Sequence, residues 1–391
     1  MVTESSESKG QALSFSFTGT GMDYFKIWIV NICLSILTLG IYSAWAKVRT
    51  NSFFYGNTVV DDSNFSYLAD PVKILIGRII AVVLFIIYWG AWQVYPNAGI
   101  GLLAIGSLLF PFFLVSAMSF RMRNSAYRNI RFYFNKNLKG AYMVFLWPLG
   151  LVVLLTWAAY TATDSAGYLD MIVNASEEGG EIIRKGDFIP TAFILALLPV
   201  LPWIDYLKTR FIVNHTQYGK ANASFSAGAL GFYKVYFLTF LAFVALAMIF
   251  SVTLGGVFVA FPANENQEST HLPMLMPVFL IVFYGGSFFI AGLWKAMRSN
   301  MINNSTMIGD NQLHSQLKGL KVGWIYLTNT IAIICSLAML IPWAKVRMAK
   351  YVAGCTDLNV KDLSSIRSIE QEDKSAFGEE VGEVFDIDLG I

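Results

Sequence analysis

Eight apolar runs of roughly 20 residues, at about 26–45, 74–95, 99–118, 142–161, 189–204, 234–261, 274–294 and 324–343, constrain this chain more than anything else in its sequence. A helix of that length matches the hydrocarbon core of a bilayer, about 30 Å thick. Only helices and closed barrels satisfy their backbone polar groups in lipid. A transmembrane barrel needs shorter segments of strict alternation, and these runs are continuous, so they predict helices. Aromatic residues collect at their ends, as in Tyr88, Trp89, Trp92 and Tyr95, or Trp147, Trp157 and Tyr160, where amphipathic rings favour the membrane interface. Composition agrees, because 55% of residues are hydrophobic and only 14% are charged, against about 25% charged in soluble domains. The predicted fold class is all-α, a polytopic transmembrane helical bundle of six to eight membrane helices.

Connecting segments give the topology through their charge. Residues 119–141 carry Arg121, Arg123, Arg128, Arg131, Lys136 and Lys139 with no acid, whereas 162–188 carry six acids against Arg184 and Lys185. The first is expected inside and the second outside. The same test places 205–233 and 295–323 inside and 96–98 and 262–273 outside, so the six central runs alternate. Runs 26–45 and 324–343 resist this scheme, because both are followed by basic flanks (Lys47, Arg49, Lys73; Lys345, Arg347, Lys350). Either the rule is broken once, or these two segments re-enter the cytoplasmic leaflet without crossing it. With re-entry, both termini are expected in the cytoplasm.

The two outer segments repeat each other. A shift of 298 residues superposes Asn31 on Asn329, Thr58 on Thr356, and the pentapeptide Trp45-Ala-Lys-Val-Arg49 on Trp343-Ala-Lys-Val-Arg347 without a gap. A weaker copy is Tyr206-Leu-Lys-Thr-Arg210. Internal repeats of membrane helices point to a bundle built by duplication. The expected organisation is a polar tail over 1–14, repeat units over 15–118, 119–294 (with the acidic insertion 162–188) and 295–358, the last truncated, and an acidic disordered tail over 359–391.

Phe15-x-Phe17-x-Gly19, Tyr24-Phe25, Asn31, Leu37-Thr-Leu-Gly-Ile-Tyr42, the Trp45–Arg49 pentapeptide, Asn57-Thr58 and Gly77-Arg78 together resemble the YjgN family of bacterial inner-membrane proteins. The likeness extends over nearly the whole chain. It implies a multi-pass protein of the inner membrane of a Gram-negative bacterium, and it supplies no reaction.

Chemistry-bearing signatures are sparse. Phosphate-binding loops, His-Glu-x-x-His, Gly-x-Ser-x-Gly and Cys-x-x-Cys are missing, so no enzyme, metal or cofactor is expected. With Lys plus Arg at 28 and Asp plus Glu at 26, no global charge argues for nucleic acid. Asn31 and Asn329 lie within apolar helices, where an amide must bond a neighbour; they bridge helices or line a polar path. Trp45, Lys47, Arg49, Trp343, Lys345, Arg347, Lys208, Arg210 and the intramembrane Arg78 read as interface anchors or as a lipid headgroup site on the anionic inner leaflet. The functional expectation is a transporter or channel of unspecified substrate. The alternative is a non-transporting component that binds lipid or a protein partner.

Overall fold

The computed structural model describes residues 11–148, 198–260 and 271–361, with isolated positions between 150 and 161. Ten short strands close into one antiparallel barrel in which nearly every strand pairs with its neighbours in sequence, the first and last strands completing the ring. They are β1 (Gln11–Phe17), β2 (Thr58–Val60), β3 (Ser63–Tyr67), β4 (Ser125–Tyr127), β5 (Ile130–Phe134), β6 (Thr216–Tyr218), β7 (Ala221–Phe225), β8 (Thr306–Ile308), β9 (Asn311–Ser315) and β10 (Thr356–Val360). Helices occupy the intervals. They are α1 (Gly21–Leu37), α2 (Ser43–Gly56), α3 (Pro71–Val94), α4 (Pro96–Arg123), α5 (Val200–Asn214), α6 (Ala229–Ala260), α7 (His271–Asn304), α8 (Gly319–Cys335) and α9 (Ile341–Ala353), with residues 138–148 also helical.

This barrel overturns the all-α fold class. Its strands hold three to seven residues each, too few alternations to register as a pattern, and they sit in the polar connections between the apolar runs. Among the described residues four helices are long and apolar enough to cross a membrane: α3, α4, α6 and α7. The predicted runs 142–161 and 189–204 lie partly outside the described residues, and the insertion 162–188 and the tail beyond 361 lie outside them.

All helices leave from one mouth of the barrel, because each helical excursion starts and ends on paired strand ends. Phe17 lies opposite Thr58, Tyr67 opposite Ser125, Phe134 opposite Thr216, Phe225 opposite Thr306 and Ser315 opposite Thr356. At each of these five junctions the hydroxyl donates to the carbonyl four residues earlier, at 2.8–2.9 Å. That bond satisfies a carbonyl left open at the helix end as the chain turns into a strand. The opposite mouth carries tight hairpin turns. Asp61, Asp62, Arg128 and Asn129 all have positive φ, and Gly219 and Gly309 take it in the other two turns, as two-residue hairpins with the right-handed strand twist require. Gln11 pairs with Val360 at that same mouth, so the chain enters and leaves the barrel side by side.

Runs 26–45 and 324–343 are each broken by a reversal. Leu39 (φ 49°) and Gly40 (φ 91°) turn α1 back into α2, and Leu337 (φ 49°) and Ala338 (φ 72°) turn α8 back into α9. Glycine accepts that region freely, whereas Ala338 holds it at a cost of about 1 kcal/mol. At 17 residues, α1 and α8 reach about 25 Å, short of a bilayer core. Their tips present Leu39 and Leu337, 95% and 90% exposed, which only lipid makes comfortable. Since β1 pairs with β10, the first and last hairpins are neighbours, and Phe17, Tyr24, Val346 and Ala353 form a buried cluster between them. Trp343 lies against Gly21, where an added Cβ would fall 2.4 Å from its ring.

Candidate functional site: a cationic cleft between the hairpins

Closure of the barrel brings the two related pentapeptides together. A cleft of about 520 Å³ lies between α1, α2, α3 and α9, and Lys47, Arg78 and Lys345 all line it, with Asn31, Ser43 and Thr50 beside them and no Asp or Glu among the described residues of its wall. The three cations lie at one level. Arg78 is seven residues into α3, Lys47 nine from the end of α2 and Lys345 eight from the end of α9, which puts them about 10, 14 and 12 Å from the barrel junctions. The apolar hairpin tips lie further out, at the far ends of α1 and α8. The guanidinium of Arg78 donates to the Ser43 hydroxyl, which holds it toward the cleft.

Asn31 and Asn329 perform the same mechanical task. Asn31 Nδ2 donates to the Ala46 carbonyl at 3.3 Å and Asn329 Nδ2 to the Ala344 carbonyl at 3.2 Å, each tying the returning helix of its hairpin to the outgoing one. Their amide oxygens differ. Asn329 Oδ1 accepts from Arg347 at 3.1 Å, and Arg347 also donates to Thr328 Oγ1 at 2.8 Å. Asn31 is 5% exposed, and its Oδ1 has no hydrogen-bond partner among the described residues, because Arg49 is turned away onto the Tyr42 hydroxyl at 2.9 Å. The cleft therefore gathers three cationic side chains beside one amide oxygen without a hydrogen-bond partner among the described residues.

Other candidate residues sit elsewhere. Trp45 stacks on Tyr42 with centroids 6.2 Å apart and packs on the buried cluster of Ala44, Ala69, Ile74 and Phe120. Arg210 donates to the Tyr206 hydroxyl at 3.0 Å. Lys208 stands beside an ion pair that sequence reasoning missed: Arg298 Nε and Nη2 grip Asp205 Oδ2 and Oδ1 at 2.7 and 2.6 Å, with both side chains largely buried. Burial pushes the Lys208 ammonium below its usual range, with Asp205 opposing and Arg298 adding to the shift. The signal in the sequence was a lone acid, Asp205, ending an apolar stretch just before a basic one.

A barrel hung from a set of apolar membrane helices, with a cationic cleft at hairpin level, defines an integral membrane protein with a domain outside the hydrocarbon. The chain belongs to the family described as bacterial protein of unknown function (DUF898), whose model matches residues 12–384. It is similar to inner membrane protein YjgN of Salmonella typhimurium strain LT2, at 22% identity over 374 residues, covering 91% of this chain and 90% of that protein. Inner membrane protein YjgN of Escherichia coli (strain K12) is 25% identical over 383 residues, covering 92% of each. No solved structure matches. The family resemblance and the inner-membrane character of the relatives agree with the four apolar helices.

Proposed function

We propose that this protein is a non-enzymatic, lipid-binding component of the inner membrane, which holds the headgroup of an anionic phospholipid between its first and last hairpins. The observation that carries the reading is the convergence of Lys47, Arg78 and Lys345 on one cleft whose described lining holds no acid. A phosphate placed among clustered cations is favoured by Coulomb attraction, and basic side chains near a membrane surface attract anionic headgroups. The open Asn31 oxygen suits a hydroxyl donor on the same headgroup, as in phosphatidylglycerol. Orientation belongs to the same reading. The basic segments 119–141, 205–233 and 295–323 all contribute strands to the barrel, so the positive-inside rule supports a cytoplasmic barrel with both termini on that side.

Arg49 and Arg347 bond Tyr42, Thr328 and Asn329 and do not line the cleft, which narrows the headgroup role to the lysines and Arg78. The test is native mass spectrometry of protein extracted from phosphatidylglycerol-containing membranes. Arg78→Gln and Lys345→Gln should each lower co-purifying phosphatidylglycerol, while Arg49→Lys leaves it unchanged. Undiminished lipid in both cleft variants refutes the reading. A transport role is the rival, and solute flux or conductance in reconstituted vesicles, abolished by the same substitutions, would replace this proposal with it.

A further inference from the structure

Ten strands enclose more space than their side chains fill. An eight-stranded barrel is just filled by its interior residues or by one small ligand. This one contains a cavity of about 430 Å³, within the roughly 300–1,000 Å³ of ordinary ligand sites. Strand alternation turns Phe15, Phe65, Tyr127, Phe132, Tyr218 and Leu313 toward it. Three polar side chains of this wall, Tyr127, Tyr218 and Arg128, are already engaged. Tyr127 donates to the Val60 carbonyl at 2.8 Å and Tyr218 to the Tyr127 carbonyl at 3.0 Å, so both phenols direct their hydroxyls at backbone and leave their rings to the lumen. Arg128 donates to Ser63 Oγ at 3.0 Å and to the Asp61 carbonyl at 2.8 Å, and it pairs with the Asp61 carboxylate. A charged group drawn into this space would lose its water without a free counter-charge from Arg128, whereas hydrocarbon fits.

Access follows from the topology. The mouth from which every described helix departs is the one that meets the apolar helices, and the other is ringed by hairpin turns, two of them tied together by Arg128 and Asp61. A hydrocarbon chain leaving the membrane therefore meets the first mouth without crossing bulk water.

We propose that the barrel lumen binds one hydrocarbon chain of an amphipathic molecule, taken up from the membrane side. This goes beyond the headgroup reading and rests on different side chains. The chain could belong to a free fatty acid or to a phospholipid, so the experiment has two arms. Full-length protein in lipid nanodiscs is irradiated with palmitate bearing a diazirine near its methyl end, or with phosphatidylglycerol whose acyl chain carries the same group, and adducts are mapped by peptide mass spectrometry. Adducts on β1, β3 and β5 are expected with one or both probes, and the productive probe identifies the source. They should be lost in Ile308→Trp and Leu358→Trp, which fill the lumen, and persist in Arg78→Gln, which separates this proposal from the headgroup site. Competition by excess unlabelled lipid, removing strand adducts before helix adducts, reports saturable binding without any substitution. Adducts confined to α3, α4, α6 and α7 with both probes overturn the proposal, as do strand adducts that survive both tryptophan variants and the competitor.

Discussion

Asn31 and Asn329 are interchangeable in sequence and unequal in structure, so the same substitution at the two positions should have different effects. Asn→Leu keeps the approximate volume and removes the amide. At Asn329 it deletes the 3.2 Å bond to the Ala344 carbonyl and the 3.1 Å acceptor bond from Arg347. A neutral bond contributes about 1 kcal/mol and one to a charged group about 1.5–3. Polar contacts between membrane helices measure lower, about 0.6 on average, so a loss of about 2 kcal/mol is expected. At Asn31 only the 3.3 Å bond to Ala46 is lost, while a buried oxygen without a partner, which costs about 1–3 kcal/mol, disappears with it. Asn31→Leu should therefore be neutral or stabilising by about 1 kcal/mol. Unfolding midpoints of the two variants in detergent, followed by Trp fluorescence, should bracket that of the wild type. Arg347→Gln should reproduce part of the Asn329→Leu loss, and the double variant should lose less than the sum because the two residues share one bond. Equal destabilisation at the two asparagines would falsify this account of the hairpins.

Two further outcomes follow from the packing of the helices and the barrel. A Cβ at Gly292 would sit 2.6 Å from Gly323 Cα, whereas Gly90 has open space; Gly292→Ala should thus force α7 and α8 apart at about 1–3 kcal/mol and lower the unfolding midpoint, with Gly90→Ala as the silent control. Tyr218 is held neutral up to about 12, first by burial and then by Tyr127, against the opposing Arg128. Its unfolded counterpart ionises near 10, so the folded state retains the proton that the unfolded chain releases. Stability due to this group is fully present below pH 10 and declines by about 2–3 kcal/mol as pH rises to about 12. Alkaline unfolding curves should show that slope, and Tyr218→Phe should flatten it.

The membrane class and four of the apolar helical runs were legible in the residues, because hydrophobic length is a local quantity read over about 20 positions. The outer segments share an Asn and a pentapeptide in sequence, and each is folded back at a residue of positive φ, Leu39 and Leu337. The barrel was not legible. Its strands are too short for a period of two to stand out, and a strand such as Thr58–Val60 exists because β1, about 40 residues earlier, and the adjoining hairpin strand β3 supply its hydrogen bonds. The cleft has the same origin. Lys47 and Lys345 lie 298 positions apart in the chain, and nothing in their local composition says that they line one wall. Pairing of β1 with β10 makes the first hairpin the neighbour of the last, and that closure alone brings Lys47 and Lys345 into one cleft and leaves a lumen inside the ring.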